Sequence, residues 1–353
     1  MLFTPLKLGA LTLPNRILLA PLTRTRADTG HMPNALMAEY YAQRASGGLL
    51  ITECTMVLPN TSAFVNEPGI YSDAQIAAWK ATTAAVHAKG GRIFMQIWHG
   101  GRAAHPTINA GEPTVSSAAV AIDGDIQTPA GKVPNAVPHA LTAAEIPAIV
   151  AAYAQGAKNA IAAGFDGVEV HGANGYLIDQ FLRDGLNQRT DAYGGSLENR
   201  SRFLFEVLTA VTAAIGSDRV GLRLSPLNSY NSMKDSDPLA LTAFLAEKLN
   251  AVKLAYLHMM RADFFGVQKG DVMSVVREKY KGVIVGNMGY TAEEAEAAIS
   301  GGKLDAVAFG TSFLANPDLP ERIKAGAALN APDASTFYTP GAKGYTDYPT
   351  MQG

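Results

Sequence analysis

Three side chains that could take part in catalysis lie close together in the sequence: His171, Asn174 and Tyr176. They follow an apolar stretch, 167–170, whose β-branched residues are typical of a buried parallel strand. The glycines between them allow the backbone to turn tightly enough to aim all three side chains at one small volume. An imidazole and a carboxamide there could polarise a carbonyl while the phenol delivers a proton. A helix cap would explain His171 alone, but the trio at a strand end favours chemistry.

Composition limits the class of protein. The 353 residues are 48% hydrophobic with a net charge of -2, which allows a large core and offers no basic patch for nucleic acid or an anionic membrane. The single cysteine, Cys54, excludes an internal disulfide and a cysteine-ligated metal site, and we predict no metal. Neither a signal peptide nor a membrane-spanning run is evident. We therefore predict a cytoplasmic monomer or homodimer in which residues 1–353 form one domain.

Eight short apolar runs predict the fold. None alternates strictly between apolar and polar residues, as expected of parallel strands that are buried on both faces. Helical segments lie between them, three of which are predicted to begin with capping boxes, at Ser72, Thr142 and Thr291. The alternation predicts a closed (β/α)8 barrel or a doubly wound sheet, and the absence of a Gly-x-Gly-x-x-Gly turn after the first run favours the barrel. The runs are 16–21, 49–53, 92–98, 167–171, 220–225, 256–260, 283–286 and 306–310.

Two further segments are predicted to surround this barrel. Residues 5–14 contain Gly9 and alternate weakly, which predicts a hairpin that acts as a lid over one end of the core. Residues 99–140 are rich in Pro, Gly, Ala and Val, which predicts an extended third βα loop that could form a hairpin over the mouth of the active site.

A buried charge and three glycines predict the ligand. Arg223 lies in an apolar run with no acidic residue beside it in the sequence, and an unpaired buried charge is costly, so a ligand with an anionic or electron-rich edge explains it better than an ion pair between strands. Gly286, Gly289 and Gly310 follow the last two runs, where barrels commonly bind phosphate on backbone N–H groups, although plain turns would also use glycine. Together with Gln96 and a hydroxyl, these features describe a pocket for flavin mononucleotide (FMN).

The chain resembles the old yellow enzyme family of FMN-dependent ene-reductases, which includes the N-ethylmaleimide reductases. The resemblance extends almost from end to end, and several blocks occur in the order of the family. The principal ones are APLTR at 20–24, QIWHGGR at 96–102, GVEVHGANGYL at 167–177, NQRTDAYGGS at 187–196 and ANPDL at 315–319.

The resemblance implies a role for each matched position. His171 and Asn174 would bind the carbonyl or nitro oxygen of the substrate, and Tyr176 would donate the proton. Thr23 would bind the flavin O4, and Gln96 the pyrimidine edge. The implied FMN contacts are Pro21, Leu22, Thr23, Cys54, Gln96, Arg223, Gly286, Asn287, Gly310 and Thr311, and the implied aromatic walls of the substrate pocket are Trp98, Tyr230 and Tyr338.

The resemblance also implies a reaction. NADPH or NADH would reduce the flavin, which would pass a hydride to an activated alkene such as an enone, a maleimide or a nitroalkene; nitro compounds and nitrate esters are further expected substrates. One residue departs from the family, because Thr311 stands where an arginine usually binds the phosphate. Losing that charge-assisted hydrogen bond costs about 1.5–3 kcal/mol, so we expect FMN to bind but to dissociate more easily.

Two other functions fit parts of the sequence. A flavin-binding protein with weakened turnover is supported only by Thr311. A cofactor-free aldolase or isomerase would need a lysine or a carboxylate base at a strand end, and Glu53 is the only carboxylate there.

Overall fold

The computed structural model describes residues 1–352 and contains a closed barrel of eight parallel strands, β1 to β8 in chain order. Each strand pairs in parallel with the next, and β8 returns to β1 through the pairing of Ala308 with Leu18, so the ring closes. The predicted (β/α)8 barrel is therefore confirmed. The strands are Ile17–Leu19, Leu49–Ile51, Ile93–Trp98, Gly167–Gly172, Val220–Leu224, Tyr256–Met260, Ile284–Asn287 and Ala306–Phe309.

Helices follow the strands on the outside of the ring. Two of the three predicted capping boxes are present: the Ser72 hydroxyl accepts from Gln75 N, and the Thr291 hydroxyl accepts from Glu294 N. The box predicted at Thr142 is wrong, because its hydroxyl donates to the Glu145 carboxylate and the helix begins only at Ile146, without a side-chain cap. The last helix begins at Leu319, with Pro320 in its first turn. The helices are Ala35–Gln43, Asp73–Ala88, Ile146–Ala162, Leu177–Leu182, Leu197–Ile215, Pro238–Leu249, Val272–Lys279, Ala292–Ser300, Thr311–Ala315 and Leu319–Ala325, and the 3₁₀ turns are Gly101–Ala103, Pro106–Ile108, Ser217–Arg219, Tyr230–Ser232 and Ala334–Thr336.

The predicted lid is an antiparallel hairpin, Leu6–Leu8 with Leu11–Leu13. Its buried leucines pack in one cluster with residues near the beginnings of the barrel strands. The turn is held by Ala10 N, which donates to Asp218 O (2.9 Å) just before β5. The hairpin therefore closes the N-terminal end of the barrel and leaves the C-terminal ends of the strands open.

The extended third loop is also present. It contains a hairpin, Asp125–Thr128 with Gly131–Pro134, and a parallel pair, Val115–Ser116 with His139–Ala140. A further short strand, Thr55–Met56, pairs in parallel with the C-terminal end of β3. None of the helices in residues 1–352 is long and apolar enough to cross a membrane.

Candidate active site

The C-terminal ends of the strands surround a cavity of about 550 Å³, a size typical of small-ligand sites. Its lining comes from segments that lie far apart in the sequence and that the closed barrel brings together. The predicted site residues that line it are Pro21, Leu22, Thr23, Cys54, Gln96, His171, Asn174, Tyr176, Arg223, Tyr230, Asn287, Gly310, Thr311 and Tyr338.

Two predicted site residues do not line the cavity. A Cβ on Gly286 would lie 2.4 Å from Leu304 Cδ1, so this glycine is needed for packing on the outside of β7. Trp98 is fully buried behind Tyr176, with ring centroids 4.3 Å apart in an edge-on arrangement, and therefore supports the phenol. Residues 288–290 line the cavity where Gly286 was expected.

The protonation state of His171 follows from its neighbours. Ala173 N donates to His171 Nδ1 (3.3 Å), so Nδ1 is an acceptor and the proton of the neutral ring lies on Nε2. Burial, followed by the charges of Arg223 and His258, lowers the pKa of His171 well below its usual value. The ring is therefore neutral at physiological pH and offers one N–H group at the cavity.

Asn174 is held in one orientation. Its backbone has a positive φ of 58°, which asparagine tolerates better than most residues, and its N–H donates to Ser225 Oγ (2.7 Å). Its side-chain Oδ1 accepts from Asn228 Nδ2 (2.9 Å). The amide nitrogen is thus the group left for a ligand, so His171 and Asn174 both present donors to the cavity.

Tyr176 completes the predicted trio. Its ring lies edge-on to Trp98 and to His171, with centroids 4.3 and 5.1 Å away. Burial, with a smaller contribution from Tyr230, raises the pKa of the Tyr176 phenol well above its usual value. The phenol is therefore protonated throughout the neutral range and can act as an acid.

Arg223 faces the cavity together with Gln96. Its Nη2 donates to Asn287 Oδ1 (2.8 Å), whereas its buried Nε has no partner in the described residues. Burial lowers the pKa of Arg223, and the charge of Glu169 on the neighbouring strand β4 partly opposes that effect, so a carboxylate that is not adjacent in the sequence lies near the guanidinium. The neighbouring strands bring these charges together although the residues lie far apart in the sequence.

The loops after β7 and β8 form the other end of the cavity. Met288 has a φ of 89°, and Gly289 has a φ of 69° with open space where a side chain would be. This conformation turns the backbone sharply beside Gly310 and Thr311. Exposed N–H groups of such a loop are suitable for a phosphate group.

The residues present fit FMN. Hydrogen-bonding side chains stand at the floor, and turns able to hold phosphate stand at one end. Thr23 Oγ1 lies 3.1 Å from Cys54 Sγ, which keeps the hydroxyl at the cavity wall. The orphaned Arg223 Nε shows that the protein alone does not satisfy this guanidinium.

Aromatic side chains form the mouth. Tyr230 meets Phe264 edge-on (6.0 Å between centroids), and Tyr338 stacks on Phe64 (6.0 Å), as expected for the walls of an apolar slot. The cavity lining found in residues 1–352 includes none of residues 99–140, so the predicted hairpin does not line the mouth. That loop instead reaches the segment after Tyr230, through Asp123 N and Ser232 Oγ (3.1 Å).

Two supporting residues were missed by the sequence analysis. Asn228 is fully buried and orients Asn174, and Glu169 contacts Gln96. No motif in the sequence indicates that Asn228 contacts Asn174 or that Glu169 contacts Gln96. Glu53, the carboxylate required by the aldolase alternative, accepts from Arg24 N and Thr25 N and lies outside the cavity lining, which weakens that alternative.

Comparisons with known proteins identify the family. Residues 1–330 match the NADH:flavin oxidoreductase / NADH oxidase family. A probable flavin mononucleotide-dependent alkene reductase of Leishmania infantum is 53% identical, over 98% of this chain and 96% of the relative. The old yellow enzyme from Trypanosoma cruzi superposes with a TM-score of 0.96 at 46% identity, covering 99% of this chain and 98% of that one. Morphinone reductase in complex with tetrahydroNAD gives a TM-score of 0.94 at 46% identity, covering 99% and 97%.

The chain belongs to the NADH:flavin oxidoreductase family, in its old yellow enzyme branch. It is an FMN-dependent oxidoreductase that takes its electrons from NADH or NADPH, and the predicted membership and cofactors are confirmed. The ene-reductase prediction is confirmed as a class, since the relatives include an alkene reductase.

Proposed function

We propose that the protein reduces the C=C bond of activated alkenes, namely enones, maleimides and nitroalkenes. The observation that carries the proposal is the convergence of two N–H donors, on His171 and Asn174, with the Tyr176 phenol at one cavity. Two donors suit one electron-rich oxygen, and a phenol beside them suits protonation of the carbon chain. Reduction of nitro compounds or nitrate esters uses the same two donors.

The residues at the floor and end of the cavity hold FMN, which supplies hydride transfer when bound. Thr23, Gln96 and Arg223 would hold the flavin ring, and Pro21, Leu22 and Cys54 line the same part of the cavity. The backbone around Asn287, Gly310 and Thr311 binds the phosphate. Gly286 supports this end of the cavity through packing, because a side chain there would clash with Leu304.

His171 and Asn174 withdraw electron density from the alkene by hydrogen bonding to its activating oxygen. Because the ring is neutral and buried, His171 donates a hydrogen bond without releasing its proton. Donors fixed in advance at a site poor in water stabilise developing negative charge strongly. Asn228 serves this step indirectly by holding Asn174.

Tyr176 transfers its phenolic proton to the α-carbon while the β-carbon accepts the hydride. Removing such a general acid costs about 10²–10⁴-fold in rate. We expect Tyr176→Phe to slow alkene reduction by this factor and to leave reduction of the flavin by NADPH unchanged. Stopped-flow measurement of the two half-reactions separates these effects.

Tyr230→Phe is the matched control, because it removes a phenol from the same mouth without removing the acid. We expect its oxidative half-reaction to stay within a few-fold of the unmodified protein. Equal rates of alkene reduction in Tyr176→Phe and in the unmodified protein would show that another group supplies the proton.

We further propose that the protein works in the cytoplasm as a monomer or homodimer and that residues 1–353 form one domain. The match over residues 1–330 supports the single domain. Sedimentation measurements determine the oligomeric state. The alternative, a flavin-binding protein with little turnover, is disfavoured by the intact trio and predicts a yellow protein that NADPH reduces but enones do not reoxidise.

A further inference from the structure

A fully buried carboxylate lies inside the barrel. Glu169 precedes His171 by two positions on β4, so both face the barrel interior, and Glu169 lies further from the cavity. Its Oε1 accepts from Gln96 Nε2 (2.7 Å), and its Oε2 accepts from His258 Nδ1 (2.8 Å) and from Tyr256 OH (3.0 Å).

The group is an ionised carboxylate. Burial alone would raise its pKa, but the hydrogen bond donated by His258, the charge of Arg223 and the hydrogen bond from Gln96 together lower the pKa of Glu169 below its usual value. Burial lowers the pKa of His258, so its neutral ring uses its single N–H for Glu169. The formal charges below the cavity are therefore one negative charge on Glu169 and one positive charge on Arg223.

This charge determines how Gln96 is oriented. A carboxylate can only accept hydrogen bonds, so it must face the amide nitrogen of Gln96 and not its oxygen. Because Gln96 also lines the cavity, its Oε1 acceptor is left for the ligand. A neutral group at position 169 would remove this constraint.

We propose that Glu169 is a positioning residue that orients Gln96 and partly neutralises Arg223, and so keeps the reduction potential of the bound flavin lower than Arg223 alone would set it. The proposal rests on the placement of the flavin ring over Gln96 and Arg223 given under the proposed function. Reduction by hydride adds negative charge to the ring, which a fixed cation favours and a fixed anion opposes.

The test is the two-electron midpoint potential of the FMN-loaded protein, measured by dye equilibration without any alkene. Glu169→Gln keeps the shape of the side chain and removes its charge. We expect the equilibrium to shift towards the reduced flavin by about tenfold, which is a rise of about 30 mV for a two-electron couple.

Tyr256→Phe is the matched control in the same network. It removes one hydrogen bond from the carboxylate and leaves its charge, so the anion is less well stabilised by its neighbours. We expect a shift of the opposite sign, about threefold towards the oxidised flavin, or roughly 15 mV. If the two substitutions acted only by disturbing the packing around Glu169, the shifts in midpoint potential would not have opposite signs.

An unchanged potential in Glu169→Gln, or shifts of the same sign in the two variants, overturns the proposal. If Glu169→Gln does not fold, Tyr256→Phe alone tests the proposal. An unchanged or raised midpoint potential in Tyr256→Phe also contradicts it. Flavin content and melting temperature are recorded for every sample. If the unmodified protein takes up no FMN, the proposed function is contradicted and not the role of Glu169. If alkene reduction is lost while the potential stays normal, the role proposed for Tyr176 is in question and not that of Glu169.

Discussion

At the scale of single residues, neighbouring groups decide which atoms of the site face a ligand. His171 has an N–H on Nε2 because Ala173 N occupies Nδ1, and Asn174 presents nitrogen because Asn228 occupies its oxygen. Both donors are therefore oriented before a substrate arrives. Orientation that is present in the free protein costs nothing when the substrate binds, which is the basis of efficient electrostatic stabilisation.

The first residue-scale prediction concerns Thr311, at the phosphate end of the cavity. Thr311→Arg restores a guanidinium that can form charge-assisted hydrogen bonds with phosphate, worth about 1.5–3 kcal/mol. We expect the Kd for FMN to fall by about tenfold to a hundredfold, as measured by quenching of flavin fluorescence. Thr311→Val, which has no hydroxyl, is the control and should bind FMN slightly less tightly. An FMN Kd in Thr311→Arg equal to or above that of the unmodified protein would contradict the expectation.

The sequence was sufficient to predict the residues of the site whose partners are near in the chain. His171, Asn174 and Tyr176 could be found because one strand and its following turn carry all three. The pairing of Glu169 with Gln96 could not, because it depends on the register of β4 with β3. Gly286 lies outside the cavity lining and packs against Leu304, and a glycine that is required for packing cannot be told from a phosphate-binding glycine by type alone.

At the scale of elements, the loop after β6 carries part of the cavity wall. The Asp263 carboxylate accepts five hydrogen bonds, from Ser229 N and Oγ and from the backbone N–H groups of Phe265, Val267 and Gln268. This network fixes Phe264 beside Tyr230 at the mouth. Apolar side chains that would otherwise be mobile are thereby held in place for the substrate.

We expect Asp263→Asn to destabilise this loop. The side-chain nitrogen of the new asparagine replaces one carboxylate oxygen, so the backbone N–H groups that donated to that oxygen lose their acceptor. Each such loss costs about 1–3 kcal/mol, so the melting temperature should fall by a few degrees and the KM for the alkene should rise. The rate of flavin reduction should not change. Asp271→Asn is the control, because asparagine still caps the helix that begins at Val272. A raised KM in both variants would show that the loop network is not the cause.

The same network predicts a dependence on pH. Burial would raise the pKa of Asp263, but the hydrogen bonds from Ser229, Gln268 and Phe265 lower it overall. A carboxyl whose pKa is lower in the folded state contributes stability above its unfolded pKa and loses it as pH falls through the folded value. We therefore expect the difference in unfolding free energy between the unmodified protein and Asp263→Asn to decrease towards acidic pH. Urea unfolding between about pH 3 and pH 7 measures this difference, a range that extends from about one unit below to about three units above the usual aspartate pKa.

Element boundaries show where prediction from sequence ends. Capping boxes at Ser72 and Thr291 marked helix starts correctly, whereas the equally spaced pair Thr142 and Glu145 did not, because that helix begins only at Ile146. Strand ends were predicted unevenly: run 16–21 is a strand only over Ile17–Leu19, whereas run 167–171 ended one residue before the end of the strand Gly167–Gly172. The residues that follow Leu19 leave the ladder to face the cavity, and apolar character does not reveal that change.

At the scale of the whole molecule, the cavity joins parts of the chain that are distant in sequence. Arg24 and Arg26 donate to backbone carbonyls of Phe337, Gly344 and Thr336, so the C-terminal segment is held against the loop after β1. Phe337 and Tyr338 thereby reach the cavity. A ligand in this cavity contacts both ends of the fold at once, so its binding is linked to global stability.

The last prediction follows from that linkage. A ligand that binds only the folded state stabilises it by RT ln(1 + [L]/Kd), or about 2.7 kcal/mol at 100 times the Kd. We expect the melting temperature of the protein freed of FMN to rise by several degrees as FMN is added, in proportion to the logarithm of its concentration. Riboflavin is the matched ligand without phosphate: under the proposed placement its ring would contact the floor around Gln96 and Arg223, but it has no group for the loop of Met288 and Gly289. A melting temperature that is indifferent to FMN would contradict the coupling of cavity and fold, and equal shifts with both ligands would show that the loop does not bind phosphate.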